Sequence, residues 1–265
     1  HRGRANTFAY GPANSQVYAG GGGGGYFDWD GPGGPNAGAG VLNPTNSITD
    51  MNSAPANGGG GGKGGSYYQG VPIVERSGTS GTGGGGGGGI ETGPRSPQHP
   101  NAPQPAVGGN GGGGTVVVAY QIGRITATAK ATGGAISFNG GKTIHTFVNS
   151  GALVVPATIS NVEYVVIGGG GGGNSSIGGG GGSGAVLYSN GSPETITLSA
   201  NPYPVVIGAG GEIGQPGSDQ AGGDTTWNSY VAGGGGGGQR NSPDTNTVGR
   251  ASTVPSGSAI GAGGG

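Results

Sequence analysis

Few side chains in this sequence could carry out acid–base chemistry or bind a metal. The chain has three histidines and no cysteine, which excludes thiolate nucleophiles, cysteine zinc sites and disulfides. His145 lies in the segment KTIHTFV with no nucleophile or carboxylate partner nearby in sequence, so we interpret it as a residue on the face of a strand rather than a general base. Asp28 and Asp30 supply two carboxylates, whereas calcium takes about six to eight oxygen ligands. We therefore predict no catalytic residue, metal site or cofactor.

Glycine-rich patterns and charge argue against the other common classes of site. The G-x-G-x-x-G pattern occurs repeatedly, but polyglycine matches it trivially, and a nucleotide fingerprint also requires a helix after the turn. The net charge is −1, from 10 Lys plus Arg and 11 Asp plus Glu, so there is no basic footprint for nucleic acid. No apolar stretch reaches the ~18 residues of a membrane span. We predict a protein that is not an enzyme, does not bind nucleic acid and does not insert into a membrane.

Aromatic residues that follow glycine runs are the candidate contact residues. Tyr26, Phe27 and Trp29 come directly after one run, and Tyr67 and Tyr68 come after another. Aromatic side chains on loops offer stacking surfaces to sugars or to partner chains. We predict that these five residues contact a receptor. The alternative is that they cover the ends of the glycine runs or pack between copies.

Glycine is the dominant feature of the composition, with 75 of 265 residues. Ordering a glycine costs about 0.5–1 kcal/mol more than ordering an alanine, and a glycine run has no side chains to bury. Ordered runs must therefore make dense backbone hydrogen bonds. Polyglycine in an extended three-fold helix, rising about 3.1 Å per residue, directs these groups outward to neighbouring helices. We predict such packed polyglycine II helices, and mobile linkers are the alternative. Uninterrupted runs occur at 20–25, 58–62, 83–89, 111–114, 168–173, 178–182 and 233–238.

Short segments between the runs have the character of β-strands. They are rich in β-branched residues, and two of them alternate as half-buried strands do. Asn139-Gly140 between two such segments predicts a hairpin, and Trp227 is expected to pack in the core. The predicted fold is all-β with packed polyglycine II helices, a polyglycine sandwich plus a β-strand layer, and no α-helix. The predicted strands are 115–122, 125–131, 142–148, 161–167, 185–188, 194–199 and 205–207.

A partial internal repeat suggests how the chain is divided. Val17-Tyr18-Ala19 and Tyr230-Val231-Ala232 each precede six glycines. Self-similarity of this kind predicts a repeated unit. We predict that residues 1–123, with the closing strand 115–122, form the latter part of one glycine-rich unit. Residues 124–265, with a β module at 125–207, then form the first part of the next.

Three blocks of sequence carry a family resemblance. They are ATGGAISFNGGKTIHTFVNSGALVVP (131–156), NVEYVVIGGGGGG (161–173) and GGNGGGGTVVVAY (108–120). These blocks resemble the glycine-rich domain of bacteriophage virion proteins and of some bacterial surface proteins. The expected architecture is similar to the polyglycine sandwich of T-even-like distal tail fibre adhesins.

The resemblance implies a non-enzymatic structural and interaction module of a phage fibre, spike or capsid appendage, on the virion surface or otherwise extracellular. Expected partners are other copies of the chain or other appendage subunits, with a host surface glycan or outer-membrane protein contacted through loops. The alternative is a repeating subunit of a bacterial extracellular filament, surface layer or matrix.

Overall fold

A computed structural model describes nine stretches of the chain, which contain twelve β-strands. Within them no two consecutive residues are helical, and the predicted all-β class is confirmed. The described residues are 4–6, 16–22, 61–62, 76–89, 107–121, 129–174, 179–189, 195–213 and 220–238. The strands are β1 Arg4–Asn6, β2 Gln16–Tyr18, β3 Thr115–Gln121, β4 Ala135–Asn139, β5 Lys142–Phe147, β6 Gly151–Val155, β7 Ile159–Ile167, β8 Val186–Tyr188, β9 Ile196–Leu198, β10 Asn201–Val206, β11 Thr225–Trp227 and β12 Tyr230–Ala232.

The larger sheet is built around β3. Its strand order is β4-β5-β3-β7-β8, with β9 also paired to β7, and all the pairs are antiparallel. The sequence TVVVAY is buried along its whole length, because both faces of the sheet are covered at this strand. β3 belongs to the first predicted unit, 1–123, whereas β5 and β7 on either side of it belong to the second, 124–265. The strand pairing therefore joins the two predicted units within one sheet.

A second antiparallel sheet, of order β12-β11-β10-β6, covers one face of the larger sheet. Side chains from the two inner faces form the main core, as in other β-sandwiches. Trp227 is fully buried there, as predicted. Its ring lies 5.7 Å from the ring of Tyr164, and Tyr164 lies 4.3 Å from Tyr230. This aromatic group thus joins β7 of one sheet to β11 and β12 of the other.

A smaller core covers the opposite face of the larger sheet. There Val117 and Ala119 of β3, with Val165 and Ile167 of β7, pack in one cluster with Tyr18 and Ala19. β2, which ends at Tyr18, pairs with β1 in a two-stranded antiparallel sheet. The larger sheet is therefore buried on both faces, by parts of the chain that lie far apart in sequence.

The structure contains the predicted hairpin between β4 and β5, and it makes strand β10 longer than predicted. The hairpin between β4 and β5 turns at Gly140 and Gly141, with φ of 57° and 74°. A two-residue type I′ turn requires positive φ at both positions, so the predicted hairpin is present with its turn one residue later. β10 extends four residues before the predicted strand 205–207 because these residues pair with β6, and Pro202 and Pro204 lie where β11 is not paired with it. Proline is tolerated at such an open strand edge.

Glycine segments continue directly from the strands. Segments leave the sheets after β2, β7, β10 and β12, and segments return to them before β3, β8 and β11. Together with two further segments they form what we call the glycine block. Its members are 20–22, 61–62, 83–89, 108–114, 168–174, 179–185, 208–212, 220–223 and 233–238.

Segment 168–174 shows how the block is bonded. Its amides donate in a pattern that repeats every three residues. The first amide donates to segment 179–185, the second to segment 220–223 and the third to segment 108–114. Two full cycles are present, and the seventh amide begins a third. Each of these acceptor segments runs antiparallel to it, because residue numbers fall along the acceptor as they rise along the donor.

The carbonyls of segment 168–174 accept from three other neighbours. Amides of segments 83–89, 208–212 and 233–238 donate to them, at N–O distances of 2.7–2.9 Å. Six segments therefore surround this one, three of them through its donors and three through its acceptors. The dense backbone bonding that the composition required is present.

Space, rather than backbone conformation, makes glycine necessary in segment 168–174. None of Gly168 to Gly173 is among the residues with positive φ. A Cβ atom on any of the six would lie less than 3.0 Å from a backbone carbonyl oxygen of a neighbouring segment. Any side chain here would force two backbones apart.

We predict that Gly170→Ala destabilises the fold, whereas Gly113→Ala does not. A Cβ on Gly170 would overlap the carbonyl of Gly84, but at Gly113 the nearest atom would lie 3.6 Å away. Overpacking typically costs about 1–3 kcal/mol, and an alanine that fits stabilises by about 0.4–1 kcal/mol through the unfolded chain. Urea unfolding followed by circular dichroism measures both variants. Equal midpoints for the two would contradict the close packing.

Candidate functional site

The five predicted receptor-contact residues lie outside the described part of the chain. These are Tyr26, Phe27, Trp29, Tyr67 and Tyr68, and the structure neither brings them together nor separates them. Asp28 and Asp30 also lie outside it.

The glycine segments that precede both aromatic groups are described. Gly22 donates to the carbonyl of Gly181 at 2.9 Å, and Gly62 donates to that of Gly85 at 2.8 Å. In each case the chain is therefore held in the glycine block at the last described residue before the aromatic group. Both aromatic groups begin within a few residues of a fixed point.

The glycine block offers backbone groups rather than reactive side chains. Among the described residues there is no group of three or more His, Asp or Glu that could hold a metal ion. In the same ranges no helix has the length and hydropathy to cross a bilayer. What the block can do chemically is hold chain segments at fixed spacing by hydrogen bonds.

Polar side chains bond to glycine backbones at several points around the block. Asp224 Oδ1 accepts from the amide of Gly234 at 3.0 Å. Thr225 Oγ1 accepts from the amide of Gly208 at 2.9 Å, and Asn174 Nδ2 donates to the carbonyl of Gly238 at 3.1 Å. Sequence reasoning missed all three residues. The available signal was their position, because each lies within two residues of a strand or of a glycine run.

Arg76 is a buried charged residue that the sequence analysis did not identify. Its side chain is 1% exposed, and Nη1 donates to the carbonyl of Val107 at 2.7 Å. Its own carbonyl accepts from the amide of Gly87 at 2.7 Å. Burial lowers the pKa of the guanidinium, although arginine retains its charge near neutral pH. Arg76 therefore connects segment 83–89, through its backbone, to Val107, which directly precedes segment 108–114, through its side chain.

His145 is the one histidine in the described residues, and it is fully buried on β5. Its Nδ1 lies 2.7 Å from the carbonyl oxygen of Gly133, and its Nε2 lies 3.0 Å from the hydroxyl of Tyr120. A carbonyl can only accept, so Nδ1 carries the proton and Nε2 accepts from the tyrosine. The same hydroxyl oxygen accepts from the amide of Ala131 at 3.1 Å.

This network joins the two sheets. Gly133, bonded to His145 of the larger sheet, directly follows Thr132, whose amide and carbonyl bond to Val154 of β6 at 3.0 and 2.9 Å. The prediction that His145 lies on a strand is confirmed by its position in β5. Its hydrogen-bonded neighbour Tyr120 lies 25 positions away, which is why no local pattern in the sequence could have indicated it.

The surroundings of His145 favour its neutral form. Burial lowers its pKa below the ordinary value, and the hydrogen bond to the Gly133 carbonyl opposes this only in part. Burial also raises the pKa of Tyr120. Both groups are therefore uncharged around neutral pH, which suits an interior position.

We predict that His145 makes the fold sensitive to acid. Its pKa is depressed in the folded protein, so the unfolded chain takes up a proton first, at about pH 6.5. The unfolding free energy is then complete above that pH and falls as the pH drops towards the lowered folded value. Urea unfolding at pH 8, 7, 6 and 5 should show this slope.

Two variants distinguish the contribution of His145 to this slope from that of the carboxylates, which also titrate in acid. His145→Gln should be less stable at every pH but have a flatter slope between pH 7 and 5, because the titrating group is gone. Tyr120→Phe keeps the buried histidine, whose pKa is lowered chiefly by burial, and should keep most of the slope. An unchanged slope in His145→Gln would contradict the assignment.

The comparisons with known proteins agree with the glycine-rich character of the chain. No curated protein and no solved structure matches it significantly. Residues 145–265 match a family described as a glycine-rich domain. The match begins at His145 in β5 and includes β6 to β12 with the glycine segments between them. It supports the predicted glycine-rich domain over residues 145–265.

Proposed function

We propose that this chain is a non-enzymatic structural and interaction module of an extracellular appendage, a phage fibre, spike or capsid appendage. Its glycine segments act as polyglycine II helices that hold binding loops at a distance from the β-sandwich. The observation that carries the proposal is the three-residue period of the hydrogen bonds made by segment 168–174.

A three-residue period is what a polyglycine II helix requires. The helix has three residues per turn and no internal hydrogen bonds, so its amides point in three directions. Donors from 168–174 reach three neighbours in rotation, and carbonyls receive from three more. At about 3.1 Å per residue a seven-residue segment would extend roughly 22 Å. The block is then a rod of hydrogen-bonded backbones rather than a side-chain core.

Such a rod suits display better than catalysis. Its bonds connect segments from 20–22 to 233–238, so its members hold each other in place. Binding residues are commonly carried on loops that a rigid scaffold positions. In this proposal Tyr26, Phe27, Trp29, Tyr67 and Tyr68 contact a host surface glycan or outer-membrane protein. The chain works as a homo-oligomer or with other appendage subunits.

Immunogold labelling tests the location. An antibody raised against residues 115–207, which contain most of the sandwich, is applied to intact source material. We expect label on virion tails or capsid appendages. Label on free filaments or cell envelopes would contradict a phage location.

Binding to host cells tests the aromatic contacts. We expect that Trp29→Ala combined with Tyr67→Ala lowers binding of the labelled protein at least tenfold, because aromatic residues dominate binding energy at interfaces. The control is Val206→Ala, which alters an exposed apolar residue of the sandwich. Both proteins should keep the parent unfolding temperature. Unchanged binding by the aromatic variant would contradict the assignment of these residues.

A repeating subunit of a bacterial extracellular filament is the second candidate function. The observation that favours it is the internal repeat. Tyr18 and Ala19 pack on one face of the larger sheet, whereas Tyr230 and Ala232 pack on the other. In both cases a glycine segment of the block follows directly. Successive units of a filament could cover alternate faces in this way, and immunogold label along free filaments would favour it.

A further inference from the structure

The strand β4 forms an edge of the larger sheet. Among the strands of the described residues it lies last in the order, and β5 is its one neighbour there. All five of its residues are exposed, including Ile136 at 42% and Phe138 at 48%. The strand AISFN carries no charge and no proline, the devices that usually prevent edge strands from pairing.

The hairpin register shows which backbone groups of β4 face outward. In a two-residue hairpin the residues flanking the turn, here Asn139 and Lys142, form a hydrogen-bonded pair. Pairs then alternate along the ladder. Phe138 and Ile136 are therefore non-hydrogen-bonded towards β5, and their amides and carbonyls point away from the sheet. The residues with exposed apolar side chains are also those that offer main-chain bonds.

We propose that β4 pairs antiparallel with β4 of a second copy, about a two-fold axis at Ser137. In this register Ile136 lies opposite Phe138 of the second copy, and Phe138 lies opposite its Ile136. The amides and carbonyls of both residues point outward, so each of the two pairs forms two main-chain hydrogen bonds. All of these outward groups therefore have a partner. The edge is thus complementary to itself, as a two-fold interface requires.

The side chains fit the same register. Ile136 is opposite His145 and Phe138 is opposite Thr143 in the ladder. His145 and Thr143 are in turn opposite Val118 and Tyr120 of the main core, so both apolar side chains project on that face. Cross-strand aromatic and β-branched pairs contribute roughly 0.2–1 kcal/mol each. Pairing would place each Phe138 against an Ile136 and extend the apolar face from one copy to the next.

A second copy is favoured over an unrelated strand by this symmetry. A foreign peptide would need outward groups and apolar residues in matching alternation, whereas another β4 has them by identity. Five-residue edges bury less than the ~1,200 Å² of standard interfaces, so the pair is weak alone and becomes stable among many copies. The inference rests on the proposed assembly function, in which copies are held close together.

Cysteine crosslinking tests the register directly, because the chain has no cysteine of its own. Ser137→Cys places two sulfurs opposite each other at the axis, within the ~4.4–6.8 Å Cα separation of disulfides. Ala135→Cys is the matched control. Its copies would lie about four residues apart along the strands, roughly 13 Å, so it cannot crosslink with itself.

Under mild oxidation of the full chain, we expect Ser137→Cys to form a covalent dimer at least tenfold faster than Ala135→Cys. A mixture of Ala135→Cys and Asn139→Cys should form a mixed dimer, because those positions are opposite in the proposed register. Equal rates for the two single variants, or no dimer with Ser137→Cys, would overturn the proposal.

Sedimentation at rising concentration gives an independent reading. Phe138→Lys should weaken self-association at least tenfold by adding a charge to the edge. Val206→Lys, at a residue 49% exposed on the other sheet, should leave it unchanged. Equal weakening by both would also overturn the edge pairing. A negative result in the crosslinking or the sedimentation experiment would leave the packing of the glycine block untouched, because the Gly170 and Gly113 variants test that packing separately.

Discussion

The close approach of backbones without Cβ atoms is the constraint on which the molecule depends. In segment 168–174 each glycine has a neighbouring carbonyl where a Cβ atom would be. The space released by the missing side chains is filled by other backbones, so each amide can find an acceptor in a different segment. Hydrogen bonds hold these segments together, whereas packing of apolar side chains holds the sandwich together. The two halves of the structure are thus held by different forces.

The β-sandwich and the glycine block determine each other's geometry. Strands in an antiparallel sheet alternate in direction, and segments that continue them must alternate too. The neighbours that accept from 168–174 run antiparallel to it, and they return to β3, β8 and β11. The aromatic group of Tyr164, Trp227 and Tyr230 fixes the two sheets, which sets the positions at which the segments leave. The buried His145 joins the sheets at another point.

Sequence patterns predicted the elements that depend on local chemistry. The valine-rich segment 115–122, the hairpin near Gly140 and the need for dense bonding of the glycines follow from propensity, turn geometry and composition. β6 was not predicted, because GALVV reads as part of a turn and becomes a strand through pairing with β10. The environments of Arg76 and His145 depend on residues 31 and 25 positions away. No local pattern specifies such contacts, and the five aromatic candidates lie outside the described residues.

The hydrogen-bonded neighbours of segment 168–174 lie between residue 86 and residue 238. Most of these contacts close long loops, and chains dominated by such contacts fold slowly. During synthesis an early glycine run has no partner to bond with, and it stays hydrated until later runs emerge. The block can close around its centre only when segment 233–238 has left the ribosome. Assembly of this protein is therefore a late, collective event, and any chaperone that assists it must tolerate long stretches of solvated glycine.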